Sequence, residues 1–123
     1  MYAASTIPHS VAERATRYIE KASADDRLLI NGIVLCELVR VLESAYGFPK
    51  EAIVDVVEKI FTTIQFEIED KSTAWLALND FKRHRADFAD CLTGRKNSAF
   101  GCSETMSFDK RLKGLDGFKL IYT

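Results

Sequence analysis

The sequence predicts an α/β fold in which a parallel sheet is flanked by helices. Four short runs, Leu28–Ile30, Phe66–Ile68, Thr105–Phe108 and Phe118–Tyr122, read as strands and alternate with longer segments of helical periodicity. Short strands separated by helices imply parallel pairing, because each crossover returns the chain to the same end of the sheet. With 123 residues, 47% of them hydrophobic, the chain can bury one core and is too short for two. A single domain over residues 1–123 is the expectation.

The first helix is expected from about Val11 to Ala22. Ser10-Val11-Ala12-Glu13 has the Ser-x-x-Glu capping pattern, and Val11, Ala15, Tyr18, Ile19 and Ala22 follow at helical spacing. Ser23 to Arg27 is a polar break. Leu28-Leu29-Ile30 is short and uninterrupted, as a strand buried on both faces would be. Asn31 can then cap a second helix that reaches Tyr46 and stops at Gly47.

Pro49 suits the first turn of a third helix, with Ile53, Val54, Val57, Ile60, Phe61 and Ile64 as its apolar stripe. After the strand at Phe66-Glu67-Ile68, Asp70 or Ser72 can cap a fourth helix. That helix carries Trp75, Leu76, Leu78 and Phe81 and ends in Lys82-Arg83-His84-Arg85, a basic terminus suited to the helix dipole. Asp87 can cap a fifth helix ending near Gly101. Lys110 to Gly114 reads as a short helical turn between the last two strands.

Composition narrows the function. A net charge of −1 and a pI near 6.1 argue against nucleic-acid binding driven by total charge, so any such site must be a local basic patch. Three cysteines, Cys36, Cys91 and Cys102, form neither a CxxC pair nor a zinc pattern, and buried, reduced thiols are expected. Apolar runs fall short of membrane-spanning length and no basic segment precedes one at the N-terminus. A cytoplasmic protein without membrane association is the expectation.

Acids stand where chemistry is expected in such a sheet. Ligands bind beyond the carboxyl ends of parallel strands, and Asp109 directly follows the strand ending at Phe108, while Glu37 lies on the helix after Leu28–Ile30. Of the residues sharing a helical face with Glu37, Ile33, Val34 and Val41 are apolar and Arg40 is the exception. A partly desolvated carboxylate needs a cation, and Arg40 or a metal ion would serve. Asp90 shares its face with Ala86, Asp87, Thr93 and Gly94, small or acidic residues that leave room above it.

Clustered carboxylates with hard oxygen donors suit Mg²⁺ or Mn²⁺. Held by acids, such ions activate water and neutralise charge in phosphodiester hydrolysis. Arg40, Arg95, Lys96, Lys110 and Arg111 lie near these acids in sequence and are available to hold a phosphate backbone. Each feature also has a plainer origin. Glu37 with Arg40 is a possible surface ion pair, Asp87 a helix N-cap, Asp109 the cap of the turn after it, and Lys82 to Arg85 a solvated helix end.

Three segments are informative together: Ile33-Val34-Leu35-Cys36-Glu37-Leu38-Val39-Arg40-Val41-Leu42, Ala86-Asp87-Phe88-Ala89-Asp90-Cys91-Leu92 and Ser107-Phe108-Asp109-Lys110-Arg111-Leu112. In that order, with the Tyr46-Gly47-Phe48-Pro49 turn between the first two, the chain resembles the VapC-type toxins of the PIN-domain family over about Ser10 to Tyr122. The resemblance implies a three-layer α/β/α PIN fold and a Mg²⁺-dependent (or Mn²⁺-dependent) endoribonuclease centre of a type II toxin-antitoxin system. Glu37, Asp90 and Asp109 match its acids and Asp87 an accessory one. It further implies an RNA substrate, a cognate antitoxin that covers the site, and a homodimer.

One departure stands out. The family begins with an apolar strand ending in Asp-Thr-Asn, whose aspartate is the first metal ligand, whereas Met1 to His9 contains no acid. The first strand is thus expected to be missing and the domain N-terminally incomplete, with Tyr2 to Ile7 as a makeshift replacement. Loss of a central strand would leave two unpaired strand edges. The competing expectation is therefore a truncated, non-catalytic PIN remnant that only dimerises or binds an antitoxin. A phosphoryl-receiver reading of Asp25-Asp26 fails, because that pair precedes a strand instead of following one.

Overall fold

A computed structural model describes residues 27–121. The helix expected at Val11–Ala22, the makeshift strand at Tyr2–Ile7 and the end of the last strand at Tyr122 lie outside the described residues. The chain divides into two compact units, the first ending at Glu69 and the second beginning at Asp70.

In the first unit the order is β1 (Leu28–Ile30), α1 (Gly32–Ser44), α2 (Lys50–Thr62) and β2 (Phe66–Ile68). β1 and β2 pair in parallel, with Leu28 opposite Phe66 and Ile30 opposite Ile68. The start of α1 is held twice: the Asn31 side chain accepts from Val34 N at 2.9 Å, and Glu69 Oε1 accepts from Gly32 N at 3.1 Å. Orphan amides of a first helical turn are thereby satisfied.

α1 buries Leu35, Val39 and Leu42, and α2 buries Ala52, Ile53, Val54, Val57 and Phe61. These positions recur at the three- and four-residue spacing of an amphipathic helix, so each helix turns one stripe inward. The α1–α2 turn buries Phe48, whose N–H donates to Leu42 O at 2.9 Å, and Gly47 takes φ +65°. That left-handed conformation is why glycine ends the expected helix there.

Several details of this unit differ from expectation. β1 is not buried on both faces: Leu29 is 67% exposed, while Leu28 and Ile30 are half-buried. Strand side chains alternate in direction, and only the face carrying Leu28 and Ile30 is packed. Helix α1 ends at Ser44, two residues short of Tyr46. Pro49 occupies the N-cap in extended conformation rather than the first turn, and Ile64 lies past the end of α2 and is exposed.

The second unit contains α3 (Lys71–Arg83), α4 (Phe88–Ala99), β3 (Thr105–Ser107), a 3₁₀ turn (Lys110–Leu112) and β4 (Phe118–Leu120). α3 packs on α4 through Ala74, Ala77, Leu78 and Phe81 on one side and Phe88, Cys91 and Leu92 on the other. Phe81 and Phe88 meet edge to face at 5.9 Å. Trp75 is only half-buried, and Leu76 is exposed.

Asp70 stands at the N-cap of α3 with φ +48° and no side-chain capping bond. β3 and β4 run parallel, Thr105 opposite Phe118 and Ser107 opposite Leu120. Thr105 also accepts from Asn97 of α4 at 3.0 Å, tying strand to helix. Leu112 and Leu115 close the core beneath the turn.

Parallel pairing and the alternation of strand and helix are as the sequence predicts, so the α/β class holds. The described strands form two separate two-stranded sheets. All three cysteines are free thiols, but only Cys91 is buried. Cys36 is half-exposed and Cys102 exposed, contrary to the expectation for these two. Among the described residues no helix is long and apolar enough to cross a membrane.

Candidate metal centre

Asp87, Asp90 and Asp109 come together in the second unit. Each offers a carboxylate oxygen, and the three oxygens lie within 4.8 Å of one another. The fold explains the meeting. Asp87 and Asp90 are three residues apart at the start of α4, so their side chains leave the same face. Asp109 lies just past the carboxyl end of β3, at the head of the 3₁₀ turn.

Local chemistry fixes the orientation of Asp109. Its Oδ1 accepts from the backbone N–H of Arg111 at 2.9 Å, capping the turn, and its own N–H donates to Ser107 Oγ at 3.1 Å. The plain capping role expected for this residue is therefore real, and it coexists with membership of the cluster. Asp87 occupies the N-cap position of α4, yet its side chain makes no capping bond there. It has been drawn off by a cation.

That cation is Arg111. Its guanidinium donates to Asp109 through Nε at 3.0 Å and Nη2 at 2.6 Å, and to Asp87 through Nη1 at 3.1 Å and Nη2 at 3.0 Å. A planar fork of five N–H groups can serve two carboxylates at once. Asp90 receives nothing comparable: among the described residues no hydrogen bond reaches its carboxylate.

Titration behaviour follows from this division. Partial burial, then the neighbouring charges of Asp87 and Asp109, push the Asp90 carboxyl above its ordinary value, opposed by Arg111. Hydrogen bonds from Arg111, first through its side chain and then through its backbone N–H, hold Asp109 below its ordinary value. The guanidinium, paired with both acids, holds its own proton more tightly than usual. Three carboxylates with one guanidinium leave net negative charge, concentrated at Asp90.

Glu37 belongs to the first unit. Its side chain is 57% exposed and pairs with Arg40 one turn along α1. Its apolar neighbours Ile33, Val34 and Val41 are themselves exposed, so they do not desolvate it as the sequence suggested. Arg95, offered for phosphate binding, donates to Asp80 through Nε at 2.7 Å and Nη2 at 2.9 Å.

Asp80, 8% exposed, is the only buried charged side chain among the described residues. Sequence reasoning overlooked it, although an acid between Leu78 and Phe81 on a buried helix stripe was the signal. Lys96 Nζ lies 3.7 Å from Asp70. Lys110 is exposed beside Asp109. Sequence reasoning placed Arg111 among the phosphate-binding cations and missed its bridging of Asp87 and Asp109, for which the Asp-x-Arg spacing was the available clue.

The donor set suits a hard divalent cation. All three groups are carboxylates, their oxygens converge, and one of them, Asp90, accepts no hydrogen bond from the described residues. A VapC ribonuclease from Aquifex aeolicus (strain VF5) is 33% identical to this chain over 102 residues, covering 83% of this chain and 75% of that protein. No protein-family model and no solved structure matches the chain.

Proposed function

The chain belongs to the VapC-type ribonucleases of the PIN-domain family, and on that premise we propose that it is a metal-dependent endoribonuclease toxin of a type II toxin-antitoxin system. The observation that carries the proposal is the convergence of Asp87, Asp90 and Asp109 at the end of a parallel strand. Its substrate is RNA, and its activity is restrained by an antitoxin that covers the acidic site. The metal is Mg²⁺ or Mn²⁺, the protein works as a homodimer in the cytoplasm, and residues 1–123 act as one domain.

Asp87, Asp90 and Asp109 would hold the cation. When bound, it supplies a water of lowered pKa and offsets charge on the phosphodiester under attack. The remaining work falls to the chain's own groups. Arg111's N–H and Ser107's hydroxyl fix where Asp109 stands. The exposed Lys110 is free to meet a phosphate oxygen beside it. Glu37 matches the family's helix glutamate by sequence position, and Glu37→Gln reads its share in the same assay.

Asp90→Asn keeps the shape of the side chain and removes its charge. It is expected to lower Mg²⁺-dependent cleavage of a structured RNA by about a hundredfold or more, the scale on which metal ligands and their supports act. Cleavage that survives in Asp90→Asn, or in excess chelator, overturns the proposal. Tight antitoxin binding without any cleavage by the unaltered chain overturns it in favour of a non-catalytic form.

A further inference from the structure

We infer that Arg111 is the resident counter-cation of the acidic cluster, and that a divalent ion binds Asp87 and Asp109 only by displacing its guanidinium. The inference rests on the proposed metal reading and deepens it by naming the residue that sets the site's affinity. Arg111 makes four hydrogen bonds to Asp109, one of them from its backbone N–H, and one to each oxygen of Asp87, which places its positive charge between the two carboxylates. Arg111 approaches all four oxygens of Asp87 and Asp109 at 2.6 to 3.1 Å. These are the groups that a metal ion would need, and carboxylate lone pairs directed at N–H donors are not available to it.

The arrangement is suited to exchange. The Arg111 side chain is half exposed, so its release exposes the guanidinium to water at little cost in solvation. Its backbone stays in place, because the turn is closed by main-chain bonds from Leu112 and Lys113 to Asp109 and Lys110. Asp90, which Arg111 leaves without a hydrogen bond, is the open acid at which an incoming cation first finds uncompensated charge. Once displaced, the guanidinium stays tethered near the cluster by this fixed backbone. Arg111 is thus a positioning residue that holds Asp87 and Asp109 together until a divalent ion replaces it.

The test is Mn²⁺ binding to the full chain, followed by calorimetry and by the electron paramagnetic resonance of free Mn²⁺, in the unaltered protein and in Arg111→Met, Arg111→Lys and Asp90→Asn. Displacement predicts that Arg111→Met binds Mn²⁺ roughly three- to tenfold more tightly, the range spanned by one or two exposed ion pairs. Arg111→Lys, which keeps the charge but not the double fork, is expected in between, and it decides the matter should Arg111→Met fold poorly. Unchanged or weaker binding in both Arg111 variants, with binding lost in Asp90→Asn, overturns displacement alone. Binding that is indifferent to Asp90→Asn places the ion elsewhere and overturns the metal reading as well.

Discussion

Asp90 shows how a single residue carries a cost that the fold accepts. Its pKa is raised, first by burial and then by Asp87 and Asp109, so the folded state holds this proton more tightly than the unfolded chain does. The charged carboxylate therefore destabilises the protein above its folded pKa, and the penalty disappears as pH falls and the group protonates. Without divalent ions, Asp90→Asn is expected to melt higher than the unaltered protein at pH 7, and the gap should close as pH falls through the carboxylate range. Equal melting temperatures at pH 7 would mean that the cluster imposes no strain. Asp109 has the opposite sign: its depressed pKa gives stability that is present above the unfolded value and is lost as pH falls through the folded one. These two acids were legible in sequence as a pair of candidates, but their opposite titration was not, because it depends on where one guanidinium lies.

At the scale of elements, helix starts were the most readable feature. Asn31 caps α1 as its side-chain chemistry requires, and Asp87 marks the start of α4. What a helix packs against was less readable, and Gly94 is the example. By sequence it is a small residue that leaves room near the acids, whereas the structure fills that room with Phe118 of β4. A Cβ on residue 94 would stand 2.5 Å from two atoms of that ring. Gly94→Ala is accordingly expected to destabilise by about 1 kcal/mol, overpacking outweighing the gain in helix propensity. Thermal denaturation reads it as a drop of a few degrees, and adding Phe118→Leu should restore most of it. Trp75 and Leu76 carry the same lesson, since the stripe that α3 buries is Ala74, Ala77, Leu78 and Phe81.

For the molecule as a whole, charge sets how it meets RNA. The chain carries a net −1, and Arg40, Arg95, Lys96 and Arg111 each face an acid. With these four of the five cations offered for phosphate binding already paired, few phosphates can be neutralised by that set. Binding of a single-stranded RNA to the Asp90→Asn protein, followed by fluorescence anisotropy, is expected to weaken only slightly with salt, with a logarithmic slope of magnitude about 2 or less. A steep slope would show that these pairs open to phosphates. The sequence by itself determined the α/β class, the parallel pairing and the acids worth testing, because hydrophobic periodicity and local spacing are written along the chain. Only the tertiary structure decided that Arg111 bridges Asp87 to Asp109, that Arg95 is spent on Asp80, and that Leu29, Ile33 and Val34 stay exposed. Partners separated by 15 or 24 residues are chosen by folding in three dimensions, and no local pattern records that choice.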